Sequence, residues 1–167
     1  TVAAEVEGAA FAVDTGFIVF NDRTYPRFCA LLDRLGVASQ PAPMSFGVRS
    51  DRTGVEYAVT SMDSLFAQRR NALSPSYWRM LADVARFNRL AERARGPAFE
   101  TMPVRDFVRR HHLSRRFVDD YLAPLGSALW SCPRERFGEF PVGFLAAFLR
   151  NHGMLRWSGQ PTWRTIA

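Results

Sequence analysis

Short apolar runs broken by glycine fill the first 60 or so residues; beyond them apolar side chains recur every three or four positions. Val2 to Val6 and Phe11 to Val13 flank a break at Gly8, which predicts a β-hairpin, and Phe17 to Phe20 is a further short extended run. Thr24-Tyr25-Pro26 predicts a helix start, a capping hydroxyl followed by proline near the first turn. Phe28, Leu31, Leu32 and Leu35 then repeat at i, i+3, i+4 and i+7, and Gly36 stops the helix. After a proline-broken stretch at 37–43, Ser45 to Arg49 and Val55 to Val59 alternate weakly around Asp51-Arg52-Thr53-Gly54, which predicts a second hairpin.

From Ser61 onward the period is helical. Ser61 is placed to cap a short helix ending near Arg70, and Ser74-Pro75 opens the longest one, running to about Arg95 before Gly96-Pro97. Its apolar positions Trp78, Leu81, Val84, Ala85 and Leu90 cover a wide face, so it is expected to meet more than one neighbour. Thr101 to His111 reads as a short helix with Val104, Phe107 and Val108 inward. Ser114 caps the next, with Phe117, Tyr121 and Leu122 inward, and Pro124 is expected to bend or end it. Residues 125–140 are mixed, Pro141 to Asn151 is a strongly apolar helix, and 154–167 reads as an aromatic loop. The pattern predicts an α+β fold: a small sheet of hairpins in 1–60, a mainly helical lobe in 61–153 and a return segment in 154–167.

Composition narrows the classes. The 167 residues, 47% of them apolar, suffice for one ordinary core or two small lobes. The chain begins at Thr1 and stops after an apolar run, so both ends read as cut and an excised piece of a longer protein is expected. All 22 basic residues are arginine, spread along the chain, and the net charge of +6 permits anionic partners, nucleic acid or an anionic membrane among them. Cys29 and Cys132 belong to no CxxC pattern, so a reducing cytoplasm is the expected compartment, with Cys29 a buried thiol. The longest apolar runs are too short to span a bilayer.

Most familiar chemistries find no motif. There is no P-loop, no GxGxxG and no GxSxG, which argues against serine-hydrolase chemistry and puts any dinucleotide pyrophosphate site outside this chain. His111-His112 sits among Arg109, Arg110, Arg115 and Arg116, a field that repels cations, so no metal site is expected and the pair is read as satisfying helix-end carbonyls. Asp119-Asp120 and Glu135 with Glu139 are candidate carboxylate pairs, better explained as partners of surface arginines. Trp130, Trp157 and Trp163 lie beside proline or glycine in loop-like contexts, where planar side chains often wall a pocket. No residue is singled out as catalytic.

Residues 11–25 carry the most specific wording. An apolar strand ends on Asp14, passes through a Thr15-Gly16 turn and restarts with Phe17-Ile18-Val19-Phe20. A glycine there lets the backbone approach a flat ligand. Val13-Asp14-Thr15-Gly16 followed by Tyr25 to Gly36-Val37 resembles the flavin-dependent amine oxidase superfamily, whose relatives include phytoene desaturases and protoporphyrinogen oxidases. Closer still, Asp14 to Asn21 with Thr24-Tyr25-Pro26 resembles a bacterial branch described only as predicted NAD/FAD-binding proteins. Leu129-Trp130-Ser131, Phe140-Pro141 and Gly159 to Arg164 fit the same branch.

The resemblance implies a two-domain flavoenzyme whose FAD domain is built from sequence on either side of this chain, with the chain as the insertion that covers the flavin and forms the substrate cavity. It implies FAD as cofactor, approached by Asp14, Thr15, Gly16 and Phe17 and flanked by Pro161, Thr162 and Trp163. It implies an apolar or lipid-like substrate in a cavity walled by Phe20, Asn21, Tyr25, Trp130, Phe144, Phe148 and Trp157. The reaction implied is hydride removal from a C–N or C–C bond, with no nucleic-acid partner and peripheral membrane contact as an option. The competing expectation is a basic α+β interaction module that binds nucleic acid or an anionic membrane without catalysis.

Overall fold

Val2–Val6 (β1) and Ala9–Val13 (β2) pair antiparallel, Val2 opposite Val13 and Val6 opposite Ala9. The two-residue turn between them takes positive φ at both Glu7 and Gly8 (52° and 78°), the primed geometry that matches strand twist. The structure, a computed structural model, describes residues 2–13, 19–156, 159 and 161–167. The chain is α+β, with small antiparallel pairs early and helices after them. It divides into two compact units, Thr1–Met44 with Pro161–Ala167, and Ser45–Gln160.

In unit 1 the helix predicted from Thr24-Tyr25-Pro26 is Pro26–Leu35 (α1), closed by Gly36 in the left-handed conformation at φ 66°. Thr24 does not cap it, contrary to expectation. The preceding turn is organised by Asn21, whose Oδ1 accepts the Thr24 N–H at 2.8 Å and whose carbonyl accepts the Tyr25 N–H at 3.0 Å. Only Leu32 of the α1 stripe is buried, while Leu31 and Leu35 are exposed. Within 154–167, expected as loop, residues 164–166 instead form a strand. Arg164–Ile166 (β6) pairs antiparallel with Ser39–Pro41 (β3), and Arg164 also exchanges both backbone hydrogen bonds with Phe20. The Arg164 guanidinium locks this register by donating to the Ser39 hydroxyl (2.9 Å) and carbonyl (2.7 Å).

In unit 2 the second hairpin is Gly47–Ser50 (β4) with Val55–Ala58 (β5), its inward residues Val48, Val55 and Tyr57 buried. It belongs with the helices, since the boundary between units falls at 44/45. Ser61 caps Met62–Leu65 (α2) in a reciprocal capping box with Ser64. A 3-10 turn, Arg69–Leu73, leads to Pro75–Arg93 (α3), capped by Ser74. The inward face of α3 is Tyr77, Met80, Val84, Phe87 and Ala91, a three-four alternation; Trp78, expected inward, is exposed. Asp83 and Asn88 sit on the buried side and hide that seam in the sequence.

Short helices wrap α3: Pro97–Glu100 (α4), Val104–Arg110 (α5) and Arg115–Phe117 (α6). Phe87 meets Phe107 edge-on at 6.1 Å and Phe117 at 5.5 Å, a ring cluster in which each fully buried side chain contributes about 1.5–3 kcal/mol. From α6 the helix continues through a π-helical segment, Val118–Leu122, into Ala123–Trp130 (α7). Pro124 therefore neither ends nor stops the helix. It has no N–H for the carbonyl four residues back, Asp120 O, and the buried Tyr57 hydroxyl donates to that oxygen at 2.7 Å. Burial, with neighbouring Tyr121, Tyr77 and Asp120, pushes the Tyr57 phenol well above its ordinary range, so it stays a donor. Arg134–Phe137 (α8) precedes Val142–Asn151 (α9). The starts of α5 and α9 satisfy one another: Val104 N–H donates to Phe140 O and Val142 N–H to Met102 O, both at 2.8 Å.

Candidate functional site

The residues expected from the sequence to form a site fall in two groups, one in each unit. In unit 1, Asp14, Thr15, Gly16 and Phe17 lie outside the described residues, so the chain begins its account at Phe20. Phe20 is buried and meets Phe28 of α1 edge-on at 5.0 Å, so its ring packs within unit 1. Asn21 beside it is fully buried. Its Nδ2 and the Thr24 Oγ1 have no hydrogen-bond partner among the described residues. A buried donor left unpaired costs about 1–3 kcal/mol, which an incoming acceptor would recover. Tyr25 is half-buried. On the return strand, Pro161 and Trp163 are half-buried and Thr162 exposed, with Trp163 O accepting the Ala42 N–H at 2.9 Å.

In unit 2, three aromatics expected to wall a cavity are brought together at the end of α7 and along α9. Trp130 lies 5.7 Å from Phe144 and 4.8 Å from Phe148, measured between ring centres. Phe140 completes the group at 5.4 Å from Trp130 and 6.0 Å from Phe144. Sequence reasoning missed Phe140, which precedes the Pro141 start of α9 and joins Phe144 and Phe148 of that helix from outside it. Phe144 is half exposed and also borders a groove of about 520 Å³ lined by Phe99, Gly143, Ala147 and Arg150. Trp157 lies outside the described residues.

The charged groups are structural. Asp83, fully buried, accepts from the Ser114 N–H (2.9 Å), Arg79 Nε (3.1 Å) and Arg86 (2.9 Å). Burial alone would raise its pKa, but the Ser114 and Arg79 hydrogen bonds hold it below the ordinary carboxylate value. Asp119 is likewise held low against burial by Arg134, Arg52 and Arg115, while Asp120 meets Arg116 at 3.3 Å. Glu139 pairs with Arg105 at 3.0 Å. The carbonyls of His111 and His112 are satisfied by Arg86 and Arg79 of α3, not by the imidazoles, and burial with nearby Arg110 and Arg86 depresses the His111 pKa. No metal-ligating cluster occurs among the described residues.

No protein-family model matches this chain, and no curated protein matches it either.

Proposed function

We propose that this chain is the substrate-side part of an FAD-dependent oxidoreductase of the amine oxidase and desaturase kind, acting on an apolar substrate. The observation that carries this reading is the chain order of unit 1. Residues 161–167 return past the whole of 45–160 to pair with residue 20 and with 39–41. Residues 45–160 are thus an insertion within a discontinuous unit, and this out-and-back chain order is compatible with the whole chain being itself an insertion between the two parts of an FAD domain, as the resemblance implies. The β1–β2 hairpin adds support, because it leaves Val2, Val6 and Phe11 exposed, and a lone two-stranded hairpin needs further partners in water.

The residues present fit a flavin. Asn21 Nδ2 and Thr24 Oγ1 are buried polar atoms in want of a partner, directly after the turn whose wording carries the resemblance, and a flavin ring is rich in acceptors. FAD, when bound, supplies the hydride acceptor for breaking a C–H bond next to nitrogen or carbon. The protein's share is to hold the ring through Asn21 and Thr24. Trp130, Phe140, Phe144 and Phe148 offer apolar ring surface that excludes water and receives an apolar substrate.

The test is to purify the native full-length protein and record its visible spectrum. Bound oxidised flavin is expected, with Asn21→Leu weakening FAD binding by about tenfold as the lost hydrogen bond is read out by flavin fluorescence. A colourless protein that takes up no added FAD refutes the reading.

A further inference from the structure

Outside the features used above, the exposed apolar residues of unit 2 are not scattered. Leu73, at the end of the 3-10 turn, is 87% exposed, Met62 67% and Trp78 50%. Their neighbours link them. The Trp78 indole lies 5.2 Å from the Phe66 ring and donates its Nε1–H to Ala72 O, the residue before Leu73, at 2.8 Å. Phe66 in turn donates its N–H to Met62 O, so the two lie one helical turn apart. Because the indole N–H is already satisfied, moving this ring out of water orphans no donor.

Charge surrounds the patch with the matching sign. Arg69 and Arg70, in the same 3-10 turn, are anchored on the carbonyls of Phe66 (3.2 Å) and Gly54 (2.8 Å). Asp63 offsets Arg69 through an exposed pair, whereas no carboxylate pairs with Arg70 among the described residues. The wider distribution is one-sided: residues 45–160 hold eighteen arginines against eleven carboxylates, and the remainder of the chain holds four against five. The whole positive excess therefore lies on the unit that carries the patch.

We propose that the Met62–Leu73–Trp78 face is where the protein rests on an anionic lipid bilayer, its apolar tips in the headgroup boundary and its arginines on lipid phosphates. Arginines near such a surface add electrostatic attraction, and a leucine tip adds the burial of its apolar surface. The contact is peripheral, because no helix among the described residues is long and apolar enough to cross a membrane. The inference is independent of any flavin.

The experiment is co-sedimentation of the purified protein with equimolar phosphatidylglycerol–phosphatidylcholine vesicles, at low and high salt, beside pure phosphatidylcholine vesicles. Binding is expected to the anionic vesicles and to fall steeply with salt. Leu73→Asp, at a side chain the fold does not use, is expected to lower partitioning at least tenfold, about 1.4 kcal/mol. Leu31→Asp, an exposed leucine of unit 1, leaves it unchanged. Circular dichroism checks that each variant is folded. Wild-type protein remaining in the supernatant at low salt overturns the proposal. So does Leu73→Asp sedimenting like wild type, or binding to duplex DNA in place of vesicles.

Discussion

Asp83 has no exposed surface, yet three groups converge on it: Arg79 and Arg86 of α3 and the Ser114 N–H at the start of α6. Asp83→Asn keeps the shape and removes the charge, so urea unfolding is expected to show a loss of about 1.5–3 kcal/mol. The pH dependence has a definite sign. With its folded pKa below the unfolded value, Asp83 stabilises fully above about pH 4 and loses that contribution as pH falls through the folded value. The acid limb of stability against pH should be shallower in the variant, as unfolding midpoints measured across that range would reveal. At this scale the sequence was hard to read. An aspartate on a helix looks like a surface charge, and Asp83 and Asn88 interrupt the apolar stripe of the buried face that Tyr77 begins. Of the expected site residues, Trp130, Phe144 and Phe148 were legible because aromatics at helical spacing converge, whereas the burial of Phe20 beneath Phe28 depended on tertiary contact.

Helices were mostly legible from caps and period, as Ser61, Ser74, Ser114 and Gly36 mark their ends chemically. What escaped was helix–helix approach. A Cβ at Gly126 of α7 would collide with the ring of Phe137, a fully buried residue of α8. Gly126→Ala is therefore expected to cost about 1–3 kcal/mol or to displace α8. Gly138→Ala, where the nearest atom is 3.5 Å away, should stay within about 0.5 kcal/mol of wild type in the same urea titration. Pro124, expected to bend or end its helix, does not end it: a π segment precedes it, and the hydroxyl of Tyr57, from a strand distant in sequence, takes the carbonyl it leaves free.

For the molecule as a whole, the α+β class followed from periodicity, while the joint between 39–41 and 164–166 did not, because short strands of three residues carry almost no pattern. Arg164→Ala removes both guanidinium bonds to Ser39. Hydrogen exchange should then speed up at the amides of residues 20, 42 and 164 and leave the Phe87–Phe107–Phe117 core of unit 2 protected. Equal loosening of both units would contradict their separation. The same joint fixes an order of events during synthesis. Ser39 leaves the ribosome 125 positions before its partner Arg164, and must wait unpaired while the intervening lobe emerges. That lobe has its own core, so it condenses first and shortens the loop that residues 161–167 must close. A ribosome stalled just before residue 161 would thus carry a formed helical body behind an unfinished, protease-sensitive leading segment.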